Sequence, residues 1–449
     1  MVKLYEILII IYRFIPKHII LYLILYCYLP HYCYSQDFDY YENNQIFYEN
    51  RIYKDGIYTA LLHRDGFDLT YPFIELKSTE KLRLSFDDFS DNTSNYYYTI
   101  IHCDANWQPS PLSPMDYIDG FVDDQITDYN FSFNTLQPFV HYSLTIPNEN
   151  FRIKLSGNYI LLVFEDGLKD FPVLTKKFMV VDSRTEIKAN IKRATIINLM
   201  RSHQEIDIVL RNTFRVRDPF QDIQLVILQN GRWDNAITNL KPIFVRDDEL
   251  IYDYEEENTF PGGSEFRYFD LKSIRYQSER IQAIEFIRPL YHVYLVPDEF
   301  STFKVYLQWQ DLNGKFLIKN SDANDSRVEA DYVNVHFSLE RNQPVSNGNI
   351  YVFGLLSDWQ FSRKNMMKFN AEAKKYELTM LLKQGYYDYQ YVYLEDKSTI
   401  ADAGFIEGNH WQTENDYIVL TYYREFGSRY DQLTGFKVFN SKNADKLGF

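Results

Sequence analysis

The sequence predicts an all-β protein made of tandem antiparallel β-sandwiches, and three observations carry that expectation. First, apolar residues alternate with polar ones at period two: Leu82, Leu84 and Phe86, then Tyr142, Leu144 and Ile146, Ile206, Ile208 and Leu210, and Val333, Val335, Phe337 and Leu339. Second, the chain carries 39 Tyr and 34 Phe against only 17 Gly, a balance suited to pleated, half-buried surfaces. Third, Asn/Asp/Gly/Pro turns separate these runs, and after residue 35 no helical periodicity matches them in clarity.

In chain order, residues 1–35 come first and differ from the rest. Lys3, Arg13 and Lys17 precede the uncharged run Ile19–Leu29, and Cys33-Tyr-Ser35 places small residues at −3 and −1 of a cut before Gln36. That is the pattern of a secretory signal peptide. The run is about half the roughly 20 residues that a spanning helix needs, and Pro30 ends it. No membrane span is therefore expected after its removal. A first sandwich is expected over 37–184, closing on Lys177-Phe-Met-Val-Val-Asp182. A second is expected over 187–340, opening with Ile187-Lys-Ala-Asn-Ile191. The polar connector Glu340–Gly348 leads to a third over 349–425, in which Tyr387, Tyr389, Tyr391 and Tyr393 form a stripe. The remainder, 426–449, reads as a tail containing one more strand at Leu433-Thr-Gly-Phe-Lys-Val-Phe439.

Composition narrows the function. The formal charge of −15 grows more negative when the signal leaves with three basic residues and only Glu6, which argues against nucleic acid and anionic lipid surfaces. Of three cysteines, Cys27 and Cys33 lie in the signal, so Cys103 alone remains and no intramolecular disulfide can form. His102 and Asp104 flank it, but neighbours in a strand point to opposite faces, so a buried structural cysteine is expected. The sequence has no Gly-x-Ser-x-Gly, no His-Glu-x-x-His, no phosphate-cradling glycine loop and no histidine pair at zinc spacing. No catalytic residue, metal ligand or cofactor is assigned. Acidic groups at Asp87, Asp88 and Asp91 and at Asp123, Asp124 and Asp128 read as solvated turns. So do Asp311-Leu-Asn-Gly314 and Asp322-Ala-Asn-Asp325, which resemble fragments of calcium loops but do not continue to the bidentate glutamate; a single calcium in one of these turns is the alternative.

Candidate contact residues are aromatic. Trp107, Tyr117 and Phe121 sit among Pro109, Pro111, Pro114 and Gly120 on a stretch too broken for sheet, and Trp233 lies in Asn230-Gly-Arg-Trp-Asp-Asn235. Aromatics on irregular loops either pack back on the scaffold or anchor a partner.

Two resemblances add to this reading. Ile350-Tyr-Val-Phe-Gly-Leu-Leu-Ser-Asp-Trp359 and Leu382-Lys-Gln-Gly-Tyr-Tyr-Asp-Tyr-Gln-Tyr-Val-Tyr-Leu-Glu-Asp396 resemble the immunoglobulin-like, early-set sandwich of glycogen-binding modules. Those modules stack a sugar on a tryptophan at the position matching Trp359. They commonly use a lysine where this chain has Gln390, and a second platform tryptophan is lacking. Asn95-Tyr-Tyr-Tyr-Thr-Ile-Ile-His-Cys-Asp-Ala-Asn-Trp-Gln-Pro109, Tyr117-Ile-Asp-Gly-Phe121, Phe171-Pro-Val-Leu-Thr-Lys-Lys-Phe-Met-Val-Val181, Val226–Thr238 and Phe260–Asp270 resemble the plug protein family of the type IX secretion system. That resemblance implies a non-enzymatic periplasmic protein without cofactors. Its partner would be the outer-membrane translocon barrel, whose periplasmic opening it closes when no cargo is engaged. A glycan-binding protein using Trp359 is the second reading, and a hydrolase, which needs a cleft of convergent polar groups, is the third.

Overall fold

The computed structural model describes residues 46–90 and 92–442. The predicted signal peptide, Cys27, Cys33, Asp91 and the last residues of the tail lie outside these. Among the described residues the chain is all-β, with short one-turn helices only at loops such as Pro114–Tyr117 and Gly404–Glu407. No helix among them is long and apolar enough to cross a membrane.

The first sandwich faces two sheets. One orders Arg51–Ile52, Pro172–Val181, Gly157–Glu165, Tyr96–Cys103 and Asp124–Gln125; the other orders Ile57–Arg64, Leu82–Asp88, Val140–Ile146 and Asp128–Phe131. Leu82, Leu84 and Phe86 point into the core against Tyr98, Ile100 and Leu161, as their alternation requires. Gly157–Glu165 does not alternate: Tyr159 through Phe164 are all buried. The reason is a second cover. Its outer residue Ile160, with Met179 and Val181 of the neighbouring strand, packs on Val226, Leu228, Ile418 and Leu420 of the next sandwich. A strand covered on both faces reads as a continuous apolar run.

The second sandwich is closed from far along the chain. Thr185–Arg193, His203–Asn212, Glu249–Tyr252 and Phe244–Arg246 form one sheet, with Thr259–Pro261 on His203–Asn212. The facing sheet orders Ile223–Gln229, Asp416–Tyr423 and Gln432–Asn440. Everything between Thr259–Pro261 and Asp416–Tyr423 builds the third sandwich. There Ile281–Ile287, Leu290–Leu295, Tyr332–Glu340, Lys375–Lys383 and Lys368–Asn370 form one sheet. Its opposite layer gathers Arg267–Asp270, Phe316–Ile318 and Gly348–Phe353 around Gly385–Glu395. Tyr387, Tyr389 and Tyr391 are buried there against Phe269 and Phe337.

This pairing groups the strands differently from the intervals 187–340, 349–425 and 426–449. Tyr332–Glu340 pairs with Lys375–Lys383, and the expected tail strand is the outer strand of the second sandwich. Alternation marks strands with one covered face, but a strand's partner is chosen by long-range packing.

Candidate functional site

Each candidate aromatic owes its position to a local backbone device. Asp104 accepts the N–H groups of Asn106 and Gln108, both at 2.9 Å, and closes a turn in which Trp107 adopts φ +62°. This lays the buried Trp107 indole edge-to-face on Trp233, with ring centroids 5.2 Å apart. Trp233 follows Gly231, whose φ is +76° and whose missing Cβ would stand 2.7 Å from the Tyr71 ring, so that turn requires glycine. Lys177, from Pro172–Val181, points its ammonium at both indoles, 4.4 Å from the Trp107 centroid and 5.1 Å from Trp233. Burial pushes that ammonium down to about 8, partly offset by Glu49.

Trp359 comes from the third sandwich. Asp358 and Trp359 hold φ values of +54° and +58°, and Asp358 receives the buried Lys176 ammonium at 2.6 Å. The Trp359 ring meets Phe353 and Phe266 edge-to-face, at 5.3 and 6.1 Å, which half-buries it. The structure therefore brings Trp107, Trp233 and Trp359 onto one cleft of about 530 Å³ where the three sandwiches meet. His63, Tyr71 and Lys177 also line it. Below Tyr71 the three units share a polar contact: its hydroxyl donates to Asp416 at 3.2 Å, and Lys315 lies 3.4 Å from the same carboxylate and 4.1 Å from the Tyr71 ring centroid.

Tyr117 and Phe121 are not on this cleft. Tyr117 is buried in the first sandwich, its hydroxyl donating to the Ile100 carbonyl at 3.2 Å, whereas Phe121 is exposed to solvent. Lys176, Lys177, Tyr71 and Asp358 escaped sequence reasoning, although two lysines inside the apolar strand Val173-Leu-Thr-Lys-Lys-Phe-Met were a readable signal.

The remaining polar groups serve packing. His102 bonds Ser110 at 2.9 Å, and burial pushes its imidazole down to about 4. Burial, then Asp104, pushes the Cys103 thiol up to about 12, leaving no thiolate at neutral pH. Asp87 and Asp88 are not in a solvated turn: both are buried, Asp87 against His141, Tyr332 and Lys383, Asp88 against the Tyr96 hydroxyl at 2.6 Å. Asp311 accepts the Asn313 N–H at 2.9 Å, and Asp325 caps Ser326–Glu329 through the Arg327 N–H. Both carboxylates are thus engaged with the protein's own backbone. Glu205, Asp207 and Asp253 converge, but Lys192 already meets the first two at 3.0 and 2.6 Å.

Residues 57–182, which span most of the first sandwich, match the type 9 secretion system plug protein 1st domain. The chain belongs to the plug protein family of the type IX secretion system. The likeness to a solved structure reaches further: a crystal structure of a hypothetical protein from Parabacteroides merdae is 34% identical, with a TM-score of 0.86. The match covers 88% of this plug family member and all of that chain. No curated protein matches it. Family membership makes the protein a component of the type IX secretion machinery.

Proposed function

We propose that this protein is the non-enzymatic periplasmic component that binds the outer-membrane translocon barrel and covers its periplasmic opening when no cargo is engaged. The plug-family first domain is the observation that carries the reading. The cross-locked body supports it. A cover over a pore wide enough for folded cargo has to resist deformation, and here the sandwiches are tied by buried polar contacts. Lys383 and the Tyr332 hydroxyl of the third sandwich both reach Asp87 of the first, and the Tyr422 hydroxyl of the second donates to Asn158 of the first at 2.8 Å. The aromatic cleft at their junction, with Trp107, Trp233 and Trp359, is the proposed seat of a partner segment.

Pulldown of the tagged mature chain from solubilised envelopes tests this. The expected result is recovery of the translocon barrel, chiefly in its cargo-free form. Retention on a glycan resin that Trp359→Ala abolishes, with no barrel recovered, would replace this reading with that of a glycan-binding protein.

A further inference from the structure

Between Leu290–Leu295 and Phe316–Ile318 the third sandwich sends out a segment that belongs to no sheet. Its apolar residues alternate along the surface: Phe303 is 100% exposed, Val305 86%, Leu307 69% and Trp309 36%. Neither the N–H nor the C=O of residues 305–310 has a main-chain or side-chain partner among the described residues. No residue from 303 to 310 takes a positive φ. The segment nevertheless cannot retract. Tyr306 turns the other way, and its hydroxyl donates to Glu265 and to the Gln412 carbonyl. The Trp309 indole donates to the Phe266 carbonyl at 2.8 Å, and Thr302 Oγ1 donates to the Phe405 carbonyl at 2.7 Å. The residues between these anchors are held out in strand-like alternation with both main-chain edges open.

Proteins shield such edges with proline, bulges or outward charge. Residues 303–312 (Phe-Lys-Val-Tyr-Leu-Gln-Trp-Gln-Asp-Leu) contain neither glycine nor proline, and their only exposed cation, Lys304, is engaged by Glu299 at 3.0 Å. We infer that the Phe303–Gln310 segment is a docking strand that pairs, main chain to main chain, with an extended apolar segment of the translocon barrel. The open donors and acceptors identify the chemistry of the occupant. A lipid surface could cover Phe303, Val305 and Leu307 but would leave the backbone groups unsatisfied, whereas a strand meets both needs. Being pinned beforehand, the segment loses little freedom when it pairs.

The inference rests on the proposed function, and the test separates the two. The full chain, a Val305→Pro variant and a Phe303→Asp/Leu307→Asp variant are tagged and used to recover the barrel from solubilised envelopes. Val305→Pro removes an N–H that has no internal partner and leaves the outward Phe303 and Leu307 side chains in place, so its urea midpoint should equal that of the parent. Barrel recovery by both variants is expected to fall at least tenfold. Undiminished recovery by both overturns the docking strand while leaving the plug reading intact. No barrel with the parent overturns both. A parent that is dimeric in light scattering and monomeric as Leu307→Asp overturns the barrel as occupant in favour of a second copy.

Discussion

The Asp388 side chain lies wholly inside the third sandwich. Its Oδ2 accepts the N–H groups of Leu312 and Gly314, while its Oδ1 has no partner among the described residues. Burial, then the neighbouring Asp311, pushes the carboxyl up to about 8, against the opposing pull of those N–H groups and Lys315. The sign follows from proton binding: between pH ~4 and ~8 the folded chain holds a proton that the unfolded chain has lost, so stability falls as pH rises through that window. Asp388→Asn keeps an acceptor for the two N–H groups and carries no charge. Its unfolding midpoint should therefore gain on the parent's from pH 5 to pH 8, at a rate of at most about 1.4 kcal/mol per pH unit. Parallel profiles would show that Asp388 is ionised in the folded protein. At this scale the sequence was only partly legible. Trp107 and Trp233 announce themselves as aromatics on broken loops, but their meeting over Lys177 depends on the first and second sandwiches stacking. Tyr117 carried the same signal as Trp107 and is a core residue, because the helix Pro114–Tyr117 folds it back over Ile100.

At the scale of elements, strands with one covered face were legible from alternation. Leu82–Asp88 is the clear case. Strands buried on both faces lost that signal, as Gly157–Glu165 did, yet stayed recognisable as continuous apolar runs. What no local pattern could disclose was the partner of Ile223–Gln229, since its ladder joins Gln229 to Tyr417 and local periodicity carries no address. The outer strand Gln432–Asn440 supplies Leu433 to the layer against the first sandwich and Phe439 to the core of the second. A chain ending at Arg424 should therefore lose the cooperative unfolding transition of the second sandwich and bind a dye for exposed apolar surface. Retention of the parent's single calorimetric transition would show this strand to be dispensable.

For the whole molecule, the decisive contact is the ion pair of Lys383 with Asp87. Both side chains are buried, and His141 adds a bond to Asp87 at 2.6 Å. Burial alone would raise the Asp87 carboxyl, but Lys383 and His141 hold it below the usual range. Lys383→Met strands that charge at the seam between the first and third sandwiches and should cost about 3–5 kcal/mol in urea unfolding. Adding Asp87→Asn to it should cost less than Asp87→Asn costs alone, because the stranded charge is then gone. Strictly additive losses in this cycle would mean that the two side chains do not interact.

The C-terminal closure of the second sandwich also has a kinetic meaning. During synthesis the first sandwich possesses all its strands once residue 181 has emerged, but Ile223–Gln229 must wait for Asp416–Tyr423, with the whole third sandwich made in between. Closing so long a loop is slow, and the waiting strand is an apolar edge open to any passing partner. The nascent chain therefore passes through a stage with two finished sandwiches flanking a half-built one. Until the last strands arrive, Ile223–Gln229 is the edge at which misassembly would start.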